Sequence, residues 1–303
     1  MNLLKEMCSI HAPSGNESAM TQFLLTYIEE NKNKWKVQPE IFQGEDFQDS
    51  IVLVFGKPRT AIFAHIDNIG FTVRYKNQLV KIGGPQLING TQLRGADSQG
   101  PIDCQVIIDD DANILYKSSR EIDRGTDLSF APIWKEDEDY VQCCYMDNRL
   151  GVWNALKVCE DLENGAIVFS CWEEHGGGSV AFLMKFLYEK YRIRQTLISD
   201  ITWITEGVLP GKGVVISMRD IGIPRRSYLK KIIQLAESSK IPYQLEVEGS
   251  GGSDGTEIQK QAFPVDWCFI GAAEQNVHSP KEKVNKKDIQ YMLKLYRYLM
   301  ANL

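Results

Sequence analysis

The sequence lacks the features that mark several classes of protein. Its 303 residues carry 40 acidic and 34 basic side chains, a net charge of −6, so it has no basic surplus for a phosphate-binding surface. No apolar run approaches the roughly 20 residues that cross a bilayer. Residues 1–8 contain no basic stretch followed by a long apolar one, so we expect no signal peptide. We therefore expect neither a nucleic-acid partner nor a membrane partner.

The number and spacing of the cysteines exclude two kinds of site. The seven cysteines are odd in number and form no Cys-x-x-Cys pair, which argues against a disulfide framework and against a closed structural zinc site. Several cysteines lie inside apolar stretches, so we expect buried free thiols in a cytoplasmic protein. The glycines at 176–178 lack the lysine and the spacing of a phosphate-binding loop, which makes nucleotide binding unexpected.

The sequence does contain apolar strand-like runs that alternate with segments of helical periodicity. The strand-like runs are 51–55, 60–64, 166–170, 196–199, 213–217 and 266–270. The helical segments are one that begins after a capping-box sequence at 14–17, then 150–162, 180–187, 225–237, and a last one that begins at a capping Asn285. This alternation predicts an α/β fold with a mainly parallel sheet and helices on both faces.

Residues 71–141 have a different pattern. Short strand-like runs alternate there with turns rich in Gly, Asn and Asp, and no convincing amphipathic helix interrupts them. We therefore expect a small all-β domain at 71–141, inserted between two segments of the α/β domain, 1–70 and 142–303.

Carboxylates and histidines stand where predicted strands and turns end. They are His65, Asp67, Asp147, Glu173, Glu174, Asp200 and His278. Each has an ordinary alternative, such as a solvated strand end for the adjacent acids Glu173 and Glu174 or a helix N-cap for Asp147. The two histidines and four of the carboxylates, those other than Asp67, would suit a pair of divalent ions about 3.5–4 Å apart that share a carboxylate, if they met at one sheet edge. Imidazole and carboxylate donors without thiolate favour zinc, cobalt or manganese.

Six short motifs, taken in order, resemble those of the M42 family of dinuclear metallo-aminopeptidases, which includes glutamyl and leucyl aminopeptidases and the tetrahedral peptidases. The motifs are Ala-His-Ile-Asp-Asn-Ile-Gly at 64–70, Met-Asp-Asn-Arg at 146–149, Glu-Glu at 173–174, Ser-Asp at 199–200, Gly-Gly-Ser-Asp at 251–254 and Val-His-Ser-Pro at 277–280. Each motif alone is weak, but their order and context extend the resemblance over nearly the whole chain.

The resemblance implies two divalent ions per subunit, with zinc expected first and cobalt or manganese as alternatives. His65, Asp147 and Asp200 would hold one ion. Asp147, Glu174 and His278 would hold the other, so that Asp147 is the bridging ligand.

The resemblance also implies an aminopeptidase, a hydrolase that cleaves the N-terminal peptide bond of a peptide substrate through a metal-bridging hydroxide. Glu173 would be the general base, and Asp67 would orient the imidazole of His65. The inserted domain would be the dimerisation domain of a homo-oligomer, either a dimer or a dodecamer.

Some positions depart from the family pattern, namely Asn68, His175 and residues 271–277. None of them removes an implied ligand, but they leave the preferred N-terminal residue, the native metal and the assembly open. Two rival functions also stay open. One is a catalytically silent scaffold that binds peptides or partners, and the other is a glycosidase that uses paired carboxylates.

Overall fold

A computed structural model describes all residues of the chain, 1–303. The helices are α1 (Asn2–Cys8), α2 (Ser18–Asn31), α3 (Met146–Cys159), α4 (Val180–Tyr191), α5 (Arg226–Ser239), α6 (Asp254–Gln259) and α7 (Lys286–Asn302). The strands are β1 (Glu40–Gly44), β2 (Gln48–Phe55), β3 (Thr60–His65), β4 (Gly70–Val73), β5 (Leu79–Ile82), β6 (Gln92–Asp97), β7 (Gly100–Ile108), β8 (Ile114–Lys117), β9 (Asp127–Phe130), β10 (Lys135–Glu136), β11 (Tyr140–Gln142), β12 (Gly165–Ser170), β13 (Gln195–Trp203), β14 (Val214–Ser217), β15 (Tyr243–Glu246), β16 (Asp266–Gln275) and β17 (Lys283–Asn285).

The larger of two sheets has eleven strands and a parallel centre. Strands β12, β3, β13 and β16 are parallel neighbours in that order. On the flanks, β2 is antiparallel to β12, and both β14 and β17 are antiparallel to β16. The predicted α/β fold class is confirmed, and the sheet is mixed because short connections such as 276–282, between β16 and β17, allow only antiparallel neighbours.

Helices cover both faces of this sheet, as the alternating strand residues require. In β2, Ile51, Leu53 and Phe55 belong to a core that also contains residues of α1, α2, α3, α5 and α7. Val52 and Val54 point the other way and pack with residues of α4 and α6. Successive side chains of a strand face opposite sides, so a strand covered on both faces is apolar throughout.

The beginnings of two helices test the predicted caps. The Asn285 side chain accepts a hydrogen bond of 2.9 Å from the Lys287 backbone N–H and caps α7, as predicted. The predicted capping box at 14–17 is wrong. Glu17 occupies the cap position of α2 without a capping hydrogen bond, and the Ser14 hydroxyl donates instead to Asp67 at 2.6 Å.

The second sheet is antiparallel and has the strand order β5-β4-β9-β6-β7-β8. A bridge between Gln78 and Leu115 brings its two edges together, which makes it barrel-like. This sheet is built from residues 70–130. The later strands β10 and β11 pair with one another and, through β17, with the large sheet. The division into two domain segments around 71–141 and the role of the insert stay predictions.

Two further observations concern the whole chain. No helix combines the length and the apolar character that a membrane-spanning segment would need. All seven cysteines are buried and unpaired, as the sequence predicted.

Gly151 lets α3 lie directly on β13. A Cβ atom at this position would come within 2.0 Å of the Ser199 carbonyl oxygen and 2.2 Å of the Asn148 side-chain oxygen. The Asn148 side-chain amide donates to that same carbonyl at 2.9 Å. This close approach holds Asp147, at the beginning of α3, near Asp200 of β13.

Replacing Gly151 with alanine should lower the free energy of unfolding by about 1–3 kcal/mol, because the added methyl group forces α3 away from β13. Urea denaturation measures the change. Gly207→Ala is the matched control, since a Cβ atom there meets nothing within 4 Å. We expect it to change stability by no more than about 0.5 kcal/mol. Equal effects of the two substitutions would contradict the close-packing explanation.

Candidate metal centre

The predicted ligands lie at the carboxyl edge of the central parallel strands. His65 is the last residue of β3, and its neighbour across the ladder is Ser170, the last residue of β12. Glu173 and Glu174 follow three and four residues later. Asp200 lies in β13, just beyond the point where that strand stops pairing with β3.

The remaining two ligands come from turns at the same edge. Asp147 stands in the first turn of α3 with a backbone conformation outside the helical range. The next residue bonds to the helix backbone instead, because the Asn148 side-chain oxygen accepts a hydrogen bond of 2.9 Å from the Gly151 N–H. His278 follows β16 by three residues. Five separate parts of the chain therefore bring their side chains together at one end of the sheet.

Asp147 lies between the two imidazoles. One of its carboxylate oxygens is 3.1 Å from Nε2 of His65, and the other is 3.2 Å from Nε2 of His278. Nε2 of His278 is also 3.2 Å from a carboxylate oxygen of Glu174. Nε2 of His65 is 3.6 Å from a carboxylate oxygen of Asp200. Ligand atoms of His65, Asp147 and Glu174 all lie within 4.8 Å of one another.

The cluster contains more buried carboxylates than the two neighbouring imidazoles can neutralise. Burial, together with the charges of Glu174 and Asp200, raises the pKa of Glu173 well above its ordinary value. Burial likewise raises the pKa of Asp200. Burial also works against ionisation of Asp147, yet hydrogen bonds to His278 and His65 hold its pKa well below the usual range. Buried charges of one sign demand a partner of the other sign.

Buried carboxylate oxygens without a hydrogen-bond partner also favour a bound cation. Oε1 of Glu174, Oε1 of Glu282 and both carboxylate oxygens of Glu274 are buried without a hydrogen-bond partner. The charges of Glu282, Asp147 and Asp200 add to burial in raising the pKa of Glu274, which places that side chain in the same electrostatic environment. Carboxylate oxygens, two imidazole nitrogens and no thiolate form a donor set that fits divalent metal ions.

Asp67 connects the imidazole of His65 to the pair of glutamates. One oxygen of Asp67 lies 3.3 Å from Nδ1 of His65 and accepts a hydrogen bond of 3.1 Å from the Glu173 backbone N–H. The other oxygen accepts from the Glu174 backbone N–H at 3.1 Å and from the Ser14 hydroxyl at 2.6 Å. The sequence indicated only the contact with His65. The contacts with the glutamate backbone depend on how two loops meet.

Two buried acids near the candidate centre, Glu274 and Glu282, are not among the residues that the sequence predicted. Glu282 is fully buried and accepts a hydrogen bond of 3.3 Å from the Asp147 backbone N–H. Its neighbours Lys281 and Lys283 make the local sequence look like a solvated loop, so no pattern along the chain marks it. Glu274 lies in the region 271–277, where the sequence departs from the family pattern.

The other two departures have structural roles. Asn68 is buried, and its side-chain oxygen accepts a hydrogen bond of 2.8 Å from the guanidinium of the fully buried Arg149. His175 is exposed, and its Nδ1 accepts a hydrogen bond of 3.1 Å from the Gly83 backbone N–H. Neither side chain lines the cavity beside the ligand cluster.

That cavity has a volume of about 340 Å³, within the range typical of small-molecule sites. The residues that line it on the side of the candidate centre are Asp147, Glu173, Glu174, Asp200 and His278. The glycine-rich turn at 250–253 also lines the cavity. A substrate in this cavity would therefore contact both the ligand cluster and the turn.

Glu17 is a buried acid behind the glutamate pair. One of its oxygens accepts hydrogen bonds from the backbone N–H groups of Gly15, at 2.9 Å, and Trp172, at 3.2 Å. Its other oxygen is buried without a partner. Burial, with a contribution from Asp67 and only partial compensation by these hydrogen bonds, raises its pKa to about 7.

Because this pKa is higher in the folded state than in the unfolded chain, folding takes up a proton between about pH 4.5 and 7, and stability falls as the pH rises through that window. Glu17→Gln removes this effect. The difference in unfolding free energy, variant minus parent, should become more positive by about 2–3 kcal/mol from pH 5 to pH 8. Urea denaturation at both pH values measures the gain. Glu30→Gln, an exposed substitution on α2, should show none, and an equal gain for both variants would contradict the assignment.

Known proteins resemble this chain in sequence and in fold. The model of the M42 glutamyl aminopeptidase family matches residues 94–295. The TET1 peptidase of Pyrococcus horikoshii is 20% identical, with a TM-score of 0.84 over 100% of this chain and 99% of that one. An aminopeptidase of Desulfurococcus kamchatkensis is 19% identical, with a TM-score of 0.87 over 100% and 94% of the two chains. An endoglucanase of Thermotoga maritima is 16% identical, with a TM-score of 0.75 over 98% and 96%.

At these identities the three structures establish the shared fold alone. The family model goes further, because it covers more than half of the chain and spans Asp147, Glu174, Asp200 and His278. Family, fold and the geometry of the candidate centre agree. The chain belongs to the M42 glutamyl aminopeptidase family and is a peptide-bond hydrolase.

Proposed function

We propose that the protein is a dinuclear metal-dependent aminopeptidase that removes the N-terminal residue of peptides. Family membership supports the hydrolysis of peptide bonds and the dependence on metal. The observation that supports the count of two ions is the position of Asp147, which offers one carboxylate oxygen to each of two imidazoles, at 3.1 and 3.2 Å. A carboxylate placed in this way can bridge two cations.

In this proposal His65, Asp147 and Asp200 hold one ion, and Asp147, Glu174 and His278 hold the other. Zinc is the first candidate, and cobalt and manganese have the same preference for imidazole and carboxylate donors. When bound, the ions lower the pKa of a water molecule and polarise the carbonyl of the scissile bond.

Glu173 is the proposed general base. Its carboxylate lines the cavity, and one of its oxygens lies 3.9 Å from Nε2 of His65. This is farther from the imidazole than the Asp147 oxygen, which lies at 3.1 Å. Burial raises the pKa of Glu173 well above its ordinary value, and a carboxylate with a raised pKa is a stronger base. Glu173 takes a proton from the attacking water and delivers it to the leaving amine. Asp67 fixes the backbone of Glu173 through a hydrogen bond of 3.1 Å.

The acidic cavity also accounts for the restriction to the N-terminus of the substrate. A free α-amino group is cationic, and the carboxylates that line the cavity attract it. An internal peptide bond presents no such charge, so its binding leaves those carboxylates uncompensated.

A homo-oligomer is part of the proposal. The related TET1 peptidase is described as assembling into a tetrahedron or a large octahedral shell. In the region 71–141 of this chain, the apolar side chains of Val80, Ile88, Ile107 and Ile133 are exposed. Contact with another subunit would cover them, which supports the dimerisation role proposed for this region.

Metal analysis tests the bridging role. Protein equilibrated with zinc should contain two ions per chain. Asp147→Asn should weaken binding by more than about 100-fold, since even partners outside the coordination shell contribute roughly 10- to 100-fold. Titration calorimetry and elemental analysis measure affinity and content. Asp139→Asn, an exposed substitution, should bind like the parent protein. Full metal content in Asp147→Asn would refute the bridge.

A substitution at Glu173 tests the base. Glu173→Gln keeps the size of the side chain but cannot accept a proton, so kcat toward a panel of aminoacyl amides should fall by about 10²- to 10⁴-fold. The metal content, measured in parallel, should remain at two ions per chain. Parent-like turnover by this variant would exclude Glu173 as the base.

The same preparation distinguishes the rival functions. A catalytically silent scaffold would hydrolyse none of the amides. The endoglucanase from Thermotoga maritima, which shares the fold, makes a glucan polymer a useful second substrate. A glycosidase that uses paired carboxylates would cleave such a polymer and would keep its activity in the presence of a chelator. The proposed aminopeptidase loses activity when its metal is chelated.

A further inference from the structure

The cavity beside the candidate metal centre has more acids than two metal ions require. Its wall contains four carboxylates outside the proposed catalytic set, Asp220, Glu246, Glu248 and Glu257. No lysine or arginine lines the cavity. Glu257 is already paired, with a carboxylate oxygen 2.7 Å from Nζ of Lys260. The other three have no such partner within the wall.

Asp220 and Glu246 differ from ordinary surface acids because they are buried. Glu246 is 4% exposed and Asp220 is 8% exposed. One oxygen of Glu246 accepts a hydrogen bond from the Thr202 hydroxyl, and one oxygen of Asp220 accepts from the Gly222 backbone N–H at 2.5 Å. The Ser217 hydroxyl lies near Glu246 and Arg219 lies near Asp220, but neither carboxylate forms an ion pair. An unpaired carboxylate at this degree of burial is costly unless something brings it a positive charge.

The fold holds both carboxylates at one place. Strands β14 and β15 are parallel, with Ser217 opposite Glu246 at their carboxyl ends. Glu246 is the last residue of β15, and Asp220 follows the end of β14 by three residues. The two acids therefore lie where adjacent strands end. The hydrogen bond from the Thr202 hydroxyl to Glu246 connects this part of the wall to β13, the strand that contains Asp200.

The same wall offers an apolar surface. Its three apolar side chains are Ile201, Trp203 and Phe269. Trp203 lies next to Gly251 of the glycine-rich turn. A Cβ atom added to Gly251 would lie 3.4 Å from the Trp203 ring. Lysine and arginine have a matching shape, because a long apolar stem carries a cationic end. An aromatic ring beside the stem adds a favourable contact with a cation.

We propose that this cavity receives the N-terminal side chain of the substrate and selects lysine and arginine, with Asp220 and Glu246 accepting the cationic end and Trp203 and Phe269 contacting the stem. The inference rests on the proposed aminopeptidase function and adds its substrate class. An N-terminal glutamate, by contrast, would place a negative charge against unpaired carboxylates.

The experiment compares kcat/KM of the metal-loaded protein for the 4-nitroanilides of lysine, arginine, leucine and glutamate. We expect the lysine and arginine substrates to exceed the leucine substrate by about 10- to 100-fold, the usual effect of a hydrogen-bonded charge pair. The glutamate substrate should be the poorest of the four. A leucine or glutamate substrate that is cleaved as well as the lysine substrate would overturn the specificity while leaving the aminopeptidase function in place.

Substitutions test the two carboxylates individually. Glu246→Gln and Asp220→Asn should each lower the lysine-to-leucine ratio of kcat/KM by about tenfold or more. Hydrolysis of the leucine substrate by the same variants shows that they fold and hold metal. Glu189→Gln removes one charge from the exposed face of α4, outside the cavity, and should leave the ratio unchanged.

A parent-like ratio in both cavity variants would refute the roles of Asp220 and Glu246. If Glu189→Gln lowered the lysine-to-leucine ratio equally, the preference would depend on the net charge of the protein. That result would also refute the roles of Asp220 and Glu246. If the metal-loaded parent protein hydrolyses none of the four substrates, the aminopeptidase function fails and the specificity fails with it.

Discussion

The constraint on which the structure depends is the burial of many carboxylates with little positive charge nearby. Asp147, Glu174 and Asp200 lie beside only two imidazoles, and Glu274 and Glu282 stand close behind them. Like charges in a medium of low polarity repel strongly, and each also loses its hydration. Divalent cations relieve both costs at once. The chemistry of the site and the stability of this end of the sheet are therefore two consequences of one electrostatic arrangement.

A rigid backbone is what makes such an arrangement possible. His65 and Asp200 come from neighbouring strands of the sheet, whose ladder fixes the separation of their backbones. Asp67 fastens the loop of the glutamate pair by accepting two backbone hydrogen bonds of 3.1 Å. Gly151 allows α3 to approach β13, which places the turn of Asp147 opposite Asp200. Residues with no part in the chemistry thus determine where the reactive side chains stand.

Charge also gives the cavity its character as a binding site. The wall contains the carboxylates proposed for catalysis, the buried Asp220 and Glu246, and three apolar side chains. A substrate with two positive charges, one on its α-amino group and one on its side chain, complements this distribution. The family description refers to glutamyl aminopeptidases. The wall of this particular cavity indicates that members of one fold can differ in substrate through a few acids at strand ends.

The sequence by itself determined the fold class and most of the candidate centre. Apolar runs such as 51–55 and 60–64 specify strands because their burial depends mainly on their own residues, and the acids and histidines that follow such runs must lie at a sheet edge. Only the tertiary structure decided the burial of Glu246, Glu274 and Glu282, the pairing of Ser14 with Asp67 instead of a helix end, and the return of β10 and β11 to the large sheet. Whether an acid is buried or solvated depends on neighbours that are distant in sequence, so no local pattern contains that information.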